Sequence, residues 1–262
     1  MQDSQRVALI TGASSGIGRA AALAFAREGT AVVLVARRAE RLEALQREID
    51  ALPGHHGAAV AITGDVREAG VMRRAVDEAL ARFGRLDILV ANAGVGHRGA
   101  LVDADWDDLE TLLRTNIDGV LHAIRAAVPA MRQTGGGHIV IVSSVTAGMV
   151  GPYMALYAAS KTFVSNLAAS LRIELKEDHI HVTDMRVGRT VTEFNEKRLG
   201  KPGRASGFGP SSMPAEKVAD AIVRATHQRR KLVVLRPIDR LILLANTFAP
   251  GVVAWFVARQ YR

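Results

Sequence analysis

The chain contains no cysteine in its 262 residues, which excludes disulfides, thiolate metal sites and a cysteine nucleophile. Aromatic residues are only 5%, and no basic run is interleaved with them, so a platform for single-stranded nucleic acid is not expected. The opening MQDSQRVALITGASSG has no basic segment leading into an apolar stretch with a small-residue cleavage site. A secretory signal is therefore not expected, and the expected address is cytoplasmic, with peripheral membrane contact as the alternative. A metal centre is not expected either. His55-His56 sits in a Pro/Gly loop, and His97 reads as a solvated loop histidine that at most lines a pocket. Nor is there an acidic excess: the net charge is +8, which raises affinity for polyanions such as phosphorylated cofactors or anionic lipid.

What is present points to one domain. Hydrophobic residues at 48% and charged residues at 23% are ordinary globular usage, and a chain of this length buries one sizeable core without dividing. Short β-branched runs (RVALI, AVVLVA, AAVAIT, LDILVA, HIVIVS, IHVTDMRV, KLVVL) alternate with helix-length segments. Their nearly continuous apolar character predicts strands buried on both faces, as in a parallel sheet built of βαβ units. Two stretches break the rhythm. Residues 192–214 turn polar and rich in Gly and Pro, too long for an ordinary connection, and are read as a substrate lid.

Immediately after the first strand stands Thr11-Gly12-Ala13-Ser14-Ser15-Gly16-Ile17-Gly18, opening a helical run. Glycines between a strand and a helix allow a tight turn and close approach to a pyrophosphate, while the helix N-terminus offers amide donors. At the end of the second strand, Val35-Ala36-Arg37-Arg38 lacks the acid that would accept a ribose 2′-hydroxyl. It carries instead two arginines able to contact a 2′-phosphate, Arg37 foremost, which favours NADP(H). Further on, Tyr157 and Lys161 stand four apart in a segment of helical period, so both project from one face. A neighbouring ammonium, with the positive ring of an oxidised nicotinamide, favours the phenolate and makes the tyrosine a usable acid/base.

The glycine spacing resembles the TGxxxGxG of the short-chain dehydrogenase/reductase family. Asp65-Val66, Asn92-Ala93-Gly94 and Tyr157-x-x-x-Lys161 extend that resemblance over residues 6–235. It implies a single doubly wound parallel sheet of Rossmann type, with Gly12, Ser14, Ser15, Gly16, Ile17, Gly18, Arg37 and Arg38 around the cofactor. Asp65 and Val66 would hold the adenine, Asn92, Ala93 and Gly94 would line the cleft, and Thr192 would meet the nicotinamide. The family serine thirteen positions before the tyrosine selects Ser144 over Ser143. By the same resemblance Tyr157 is the acid/base, and Lys161 lowers its pKa and holds the ribose. Ser144 orients the substrate oxygen, and Asn116 holds a water in a proton relay. The chain departs from the family at Val187-Gly188, where Pro-Gly is usual, and at Ala91, where an asparagine often stands.

The expected activity is hydride transfer between NADP(H) and a carbonyl or secondary alcohol. Val145, Met149, Val150, Tyr153 and Met154 suggest an apolar substrate. A same-fold epimerase or dehydratase, or a non-catalytic dinucleotide sensor, stays open. The domain is expected over residues 1–237, in a homo-oligomer. The second break in the rhythm, residues 238–262, is an apolar extension whose run is interrupted at Asn246-Thr247 and Pro250-Gly251, which predicts two short helices. These would pack on the domain or a partner subunit. Alternatively they would lie on a membrane, with Trp255, Phe256 and Tyr261 at headgroup level and Arg236, Arg240, Arg259 and Arg262 towards anionic lipid.

Overall fold

The computed structural model describes residues 5–54, 57–200 and 212–259. The central part of the lid, 201–211, lies outside the described residues, as do His55, His56, Tyr261 and Arg262. The apolar runs form seven strands: β1 (Val7–Thr11), β2 (Ala31–Ala36), β3 (Ala59–Thr63), β4 (Ile88–Ala91), β5 (Gly137–Ser144), β6 (Ile180–Val187) and β7 (Leu232–Val234). They make one parallel sheet in the order β3-β2-β1-β4-β5-β6-β7. The chain builds outward from β1 in one direction, then returns to β4 and builds in the other. That reversal leaves a crevice beyond the carboxyl ends of β1 and β4, where open sheets of this kind take ligands.

Alternate residues of each strand supply the two cores. Val7, Leu9, Val33, Val35, Leu89 and Ile139 face α3 (Ala69–Phe83), α5 (Gly119–Gln133) and α6 (Ala155–Glu174). Ala8, Ile10, Val32, Leu34, Val90 and Val140 face α1 (Gly16–Arg27), α2 (Ala39–Asp50) and α7 (Ala215–Gln228). Coverage on both faces explains why the strands read as unbroken apolar runs. Around Asn116, α4 (Trp106–Leu113) continues into α5 through a π turn at Arg114–Asp118. The sequence reading did not anticipate that widening.

The eight-residue ladder of β5 and β6 encloses a buried polar cluster. Asp184, 1% exposed, accepts hydrogen bonds from Ser143, from Ser165 Oγ at 2.6 Å and from Arg186 Nε at 2.9 Å, while Arg186 also donates to Ser165 at 2.8 Å. A buried charge is tolerated only with such partners.

The extension forms two short helices as expected, α8 (Pro237–Phe248) and α9 (Pro250–Arg259), but the break falls at Ala249: Asn246-Thr247 stays inside α8 and Pro250-Gly251 opens α9, where a proline needs no backbone donor. Among the described residues no helix is long and apolar enough to cross a membrane. One expectation is corrected: Arg236 does not face outward. It pairs with the buried Asp239 at 2.5 Å and fixes the start of α8, since a buried carboxylate needs a charge-assisted partner.

Asp184→Ala would leave Arg186 uncompensated in a site built for a carboxylate. We expect a loss of about 3 kcal/mol or more, a fall of roughly 10 °C in Tm by circular dichroism. An unchanged Tm would show that the cluster contributes nothing to stability.

Candidate active site

Three backbone segments converge at the head of the crevice. Gly12 turns the chain with φ +69°, and a Cβ there would stand 2.9 Å from Asn92 Nδ2 and 3.0 Å from the Ala93 Cα. At Gly18 a Cβ would run into the carbonyl oxygen of Gly12 and come within 2.7 Å of Asn92 Nδ2. Asn92 is fixed there by Thr11: its Nδ2 donates to the Thr11 carbonyl at 2.9 Å, and its backbone N donates to Thr11 Oγ1 at 3.0 Å. Ala93 N donates to the same hydroxyl at 3.0 Å. Thr11 was therefore a participant that the sequence reading left unassigned.

Of the two arginines at the end of β2, Arg38 is the one laid on this turn. It donates to Ser14 Oγ at 2.9 and 3.1 Å and to Ser15 Oγ at 2.7 Å. Arg37, which the sequence put foremost, is 65% exposed and lies 3.8 Å from Asp65. Burial opposes ionisation of Asp65, but hydrogen bonds from the side chain and backbone of Arg67, with the charges of Arg67 and Arg37, hold its carboxyl below the usual range. Val66 is buried against Gly119, where a Cβ would meet it at 2.7 Å.

Ser144 ends β5 and Tyr157 lies near the start of α6, which brings the Ser144 hydroxyl close enough to the Tyr157 phenol to favour its phenolate. Ser144 Oγ also accepts from Thr146 N at 3.1 Å and lies 2.9 Å from Thr146 Oγ1. Ser143 points the other way, into the Asp184 cluster. One turn along α6, Lys161 is buried at 6% exposure and donates to the Val142 carbonyl at 2.9 Å. Asn116 accepts from Val95 N at 2.8 Å and donates to Val95 O at 3.0 Å and Ser160 Oγ at 3.1 Å. Gly94 sits between the last two, for a Cβ on it would be 3.2 Å from Asn116 Oδ1 and 3.5 Å from Lys161 Nζ.

Burial governs both titratable groups here. It pulls Lys161 down to about 8 against the attraction of Asp184. It also pushes the Tyr157 phenol up, opposed by the Ser144 hydrogen bond and the charge of Arg198. In the chain alone the phenol is therefore raised; the lowering expected from the sequence was for Lys161 together with an oxidised nicotinamide.

The described flanks of the lid fold onto this site. Thr192 packs on the glycine turn, 2.9 Å from where a Cβ on Gly16 would be. The Phe194 ring lies 5.9 Å from that of Tyr157. Residues 96–99 bond to the lid through Leu199 N to Gly96 O at 2.8 Å and Arg98 N to Leu199 O at 3.0 Å. That pairing buries His97 to 4% exposure, so its reading as a solvated histidine is corrected. Glu193 accepts from Arg38 at 2.9 Å, Arg41 at 2.5 Å and Lys197 at 2.6 Å. Hydrogen bonds from Lys197, Arg41 and Arg38 hold its carboxyl well below the usual range. Glu193, Phe194 and Arg41 were missed because their partners are remote in sequence; only the Glu193–Lys197 spacing was visible.

The family model for short chain dehydrogenases matches residues 6–202. The chain belongs to the short-chain dehydrogenase/reductase family. It is 31% identical to the dehydrogenase/reductase SDR family member 7B of Bos taurus over 98% of this chain and 81% of that relative. It is 36% identical to sulfoacetaldehyde reductase 2 of Chromohalobacter salexigens over 82% of this chain and 86% of that protein. Among solved structures, an alcohol dehydrogenase of Thermococcus sibiricus complexed with 5-hydroxy-NADP superposes with TM-score 0.78 at 29% identity, covering 90% of this chain and 97% of that one. The nucleotides bound in similar structures differ. A 3-ketoacyl-(acyl-carrier-protein) reductase of Brucella melitensis, complexed with NADH, superposes with TM-score 0.75 at 30% identity over 84% of this chain and 90% of its own.

The low Lys161 pKa has a consequence for stability. Between about 8 and 10.5 the unfolded chain binds a proton at this residue that the folded chain does not. The burial penalty is therefore fully present below about pH 8 and relieved as pH rises through that window. In urea unfolding, the wild type should gain stability relative to Lys161→Met between about pH 7 and about pH 9.5. A constant difference would mean that the buried ammonium is not destabilised.

Proposed function

We propose that this family member is an NADP(H)-dependent oxidoreductase interconverting an apolar carbonyl compound and its secondary alcohol. The observation that carries the reading is the meeting of Ser144 with the Tyr157 hydroxyl, one helical turn from a buried Lys161, beside the glycine turn that holds Arg38. The residues present suit a dinucleotide. Gly12, Gly16, Ile17 and Gly18 with Ser14 and Ser15 leave room and donors at the start of α1, and Asp65, Val66, Asn92, Ala93 and Gly94 border the cleft. The Glu193 carboxylate on Arg38 and Arg41 is an anion standing in a cationic pocket. When bound, the nicotinamide supplies or accepts the hydride, and the protein's part is orientation and proton movement.

Tyr157 gives its proton to the carbonyl oxygen in reduction, or takes it from the alcohol in oxidation. Ser144, beside the same hydroxyl, orients and polarises that oxygen. With a pKa of about 8, Lys161 is mainly an ammonium at neutral pH, so it favours the phenolate and can donate to a ribose hydroxyl. The π turn at Arg114–Asp118 removes a backbone carbonyl from the regular ladder, which suits the water-holding role that the family resemblance assigns to Asn116. Thr192 would bound the nicotinamide end.

Similar structures carry NAD-type as well as NADP-type nucleotides, so the preference rests on Arg38, with Arg37 second, and on Ala36 where an acid would select NAD(H). A 2′-phosphate on Arg38 would displace the Glu193 carboxylate. The substrate class rests on Phe194 over Tyr157 and on the wall of Val145, Met149, Val150, Tyr153 and Met154.

Tyr157→Phe should lower kcat by about a thousandfold while leaving the Kd for NADPH within about twofold, because it removes only the proton carrier. Near-normal turnover would end the mechanism. In fluorescence titrations, Arg38→Ala should weaken NADPH by about tenfold or more and leave NADH nearly unchanged, since one charged hydrogen-bond partner of the phosphate is gone. Glu193→Gln should tighten NADPH by removing the competing carboxylate. If neither variant alters the ratio of the two affinities, the NADP(H) preference is wrong.

A further inference from the structure

Helices α8 and α9 present an apolar face outward. Leu241, Leu244 and Phe248 stand at i, i+3 and i+7 on α8, and Val252, Trp255 and Phe256 at i, i+3 and i+4 on α9. Each of the six is more than half exposed, from 54% at Trp255 to 83% at Phe248. Helical spacing of large apolar residues ordinarily marks the side turned to a core. Here the side turned to the core is the other one: Asp239 is buried on Arg236, and Asn246 Nδ2 donates to the Gly148 carbonyl at 2.8 Å.

The charge pattern identifies what fits this face. From Arg240 to Arg259 there is no Asp or Glu, and arginines stand at both ends, in a chain whose net charge is +8. Arg259 lies 5.2 Å over the Trp255 ring, and that ring meets Phe256 edge-on at 4.9 Å. A cation is therefore held at the rim of an aromatic pair, an arrangement that suits headgroup phosphates above and acyl chains below. A second copy of the same face would bring arginines towards arginines, and an acid to pair with them is missing from both helices between those ends. Helices of 12 and 10 residues are too short to span a bilayer and suit lying in its surface.

We infer that the α8–α9 hairpin is a monotopic docking surface for an anionic lipid bilayer. The inference is independent of the reaction proposed above, but the two meet in space. Asn246 anchors the hairpin on Gly148, in the loop between Ser144 and Tyr157, two residues before the exposed Val150. Docking would set the bilayer beside the mouth of the active site, where an apolar substrate can enter from lipid.

The test is flotation of the full chain with vesicles of phosphatidylcholine alone and of phosphatidylcholine mixed with phosphatidylglycerol, at low and at high salt. The comparison is the variant Leu244→Glu/Phe248→Glu/Phe256→Glu, whose altered positions are all exposed and whose fold is checked by Tm. We expect flotation with the anionic vesicles at low salt and a loss of about tenfold or more in the variant. In a Trp106→Phe background, Trp255 emission should shift to the blue on binding. Protein left in the dense bottom fraction with anionic vesicles at low salt overturns the inference, and equal flotation with both vesicles overturns the charge argument. A lipid-free dimer in velocity sedimentation that the triple variant dissociates, without flotation of the wild type, would assign the face to a second copy instead.

Discussion

The hydrogen bond from Asn92 Nδ2 to the Thr11 carbonyl ties the carboxyl ends of β1 and β4 together at the point where the sheet reverses its order. Everything around the cleft depends on that closeness. It forces glycine at 12 and 18, because either side chain would occupy the space of Asn92 or of the facing backbone. It sets the start of α1 over the crevice, and so directs Ser14, Ser15 and Arg38 to one place. On the far side, the β5–β6 ladder positions Ser144 and carries, one residue earlier, the inward-facing Ser143 that anchors Asp184.

The site is a balance between burial and charge. Lys161 loses part of its hold on a proton, and Tyr157 holds its own more tightly, because both are withdrawn from water. What resists this in the chain itself is modest: the Ser144 hydroxyl and the Arg198 charge for the tyrosine, Asp184 for the lysine. In the proposed reaction a positively charged nicotinamide would add the missing favourable interaction for phenolate, so that the proton carrier would be tuned by the molecule it serves. At the other end of the cleft, Glu193 already pairs with both Arg38 and Arg41. The lid flank is thus coupled electrostatically to the cationic pocket.

Most of the fold was legible because a sheet covered on both faces imposes unbroken apolar strands, and the glycine turn between the first strand and first helix marked the crevice. The grouping of Tyr157, Lys161 and Ser144 was foreshadowed by the one-turn spacing of Tyr157 and Lys161 and, for Ser144 over Ser143, by the family resemblance. What stayed hidden depends on contacts between remote segments. The sequence put Arg37 ahead of Arg38, and only the turn into α2 shows that Arg38 is the one that reaches Ser14. The π turn at Asn116 leaves no mark in a pattern of apolar periodicity. His97 reads as a loop residue until Leu199 pairs across it. The direction of the Tyr157 shift likewise follows from burial, which spacing does not report.

The central claim is that this chain moves hydride between a nicotinamide and an apolar carbonyl carbon while Tyr157 moves the proton. It is tested most directly by incubating the purified chain with NADPH deuterated at nicotinamide C4 and a panel of apolar ketones, and analysing the products by mass spectrometry. Both C4 diastereomers should be used, because only one face of the ring is presented to substrate. The account predicts alcohol formed in equal amount to the cofactor oxidised, with one deuterium on the carbinol carbon from one diastereomer and none from the other. Turnover without net cofactor oxidation, or alcohol lacking deuterium from both diastereomers, would contradict it.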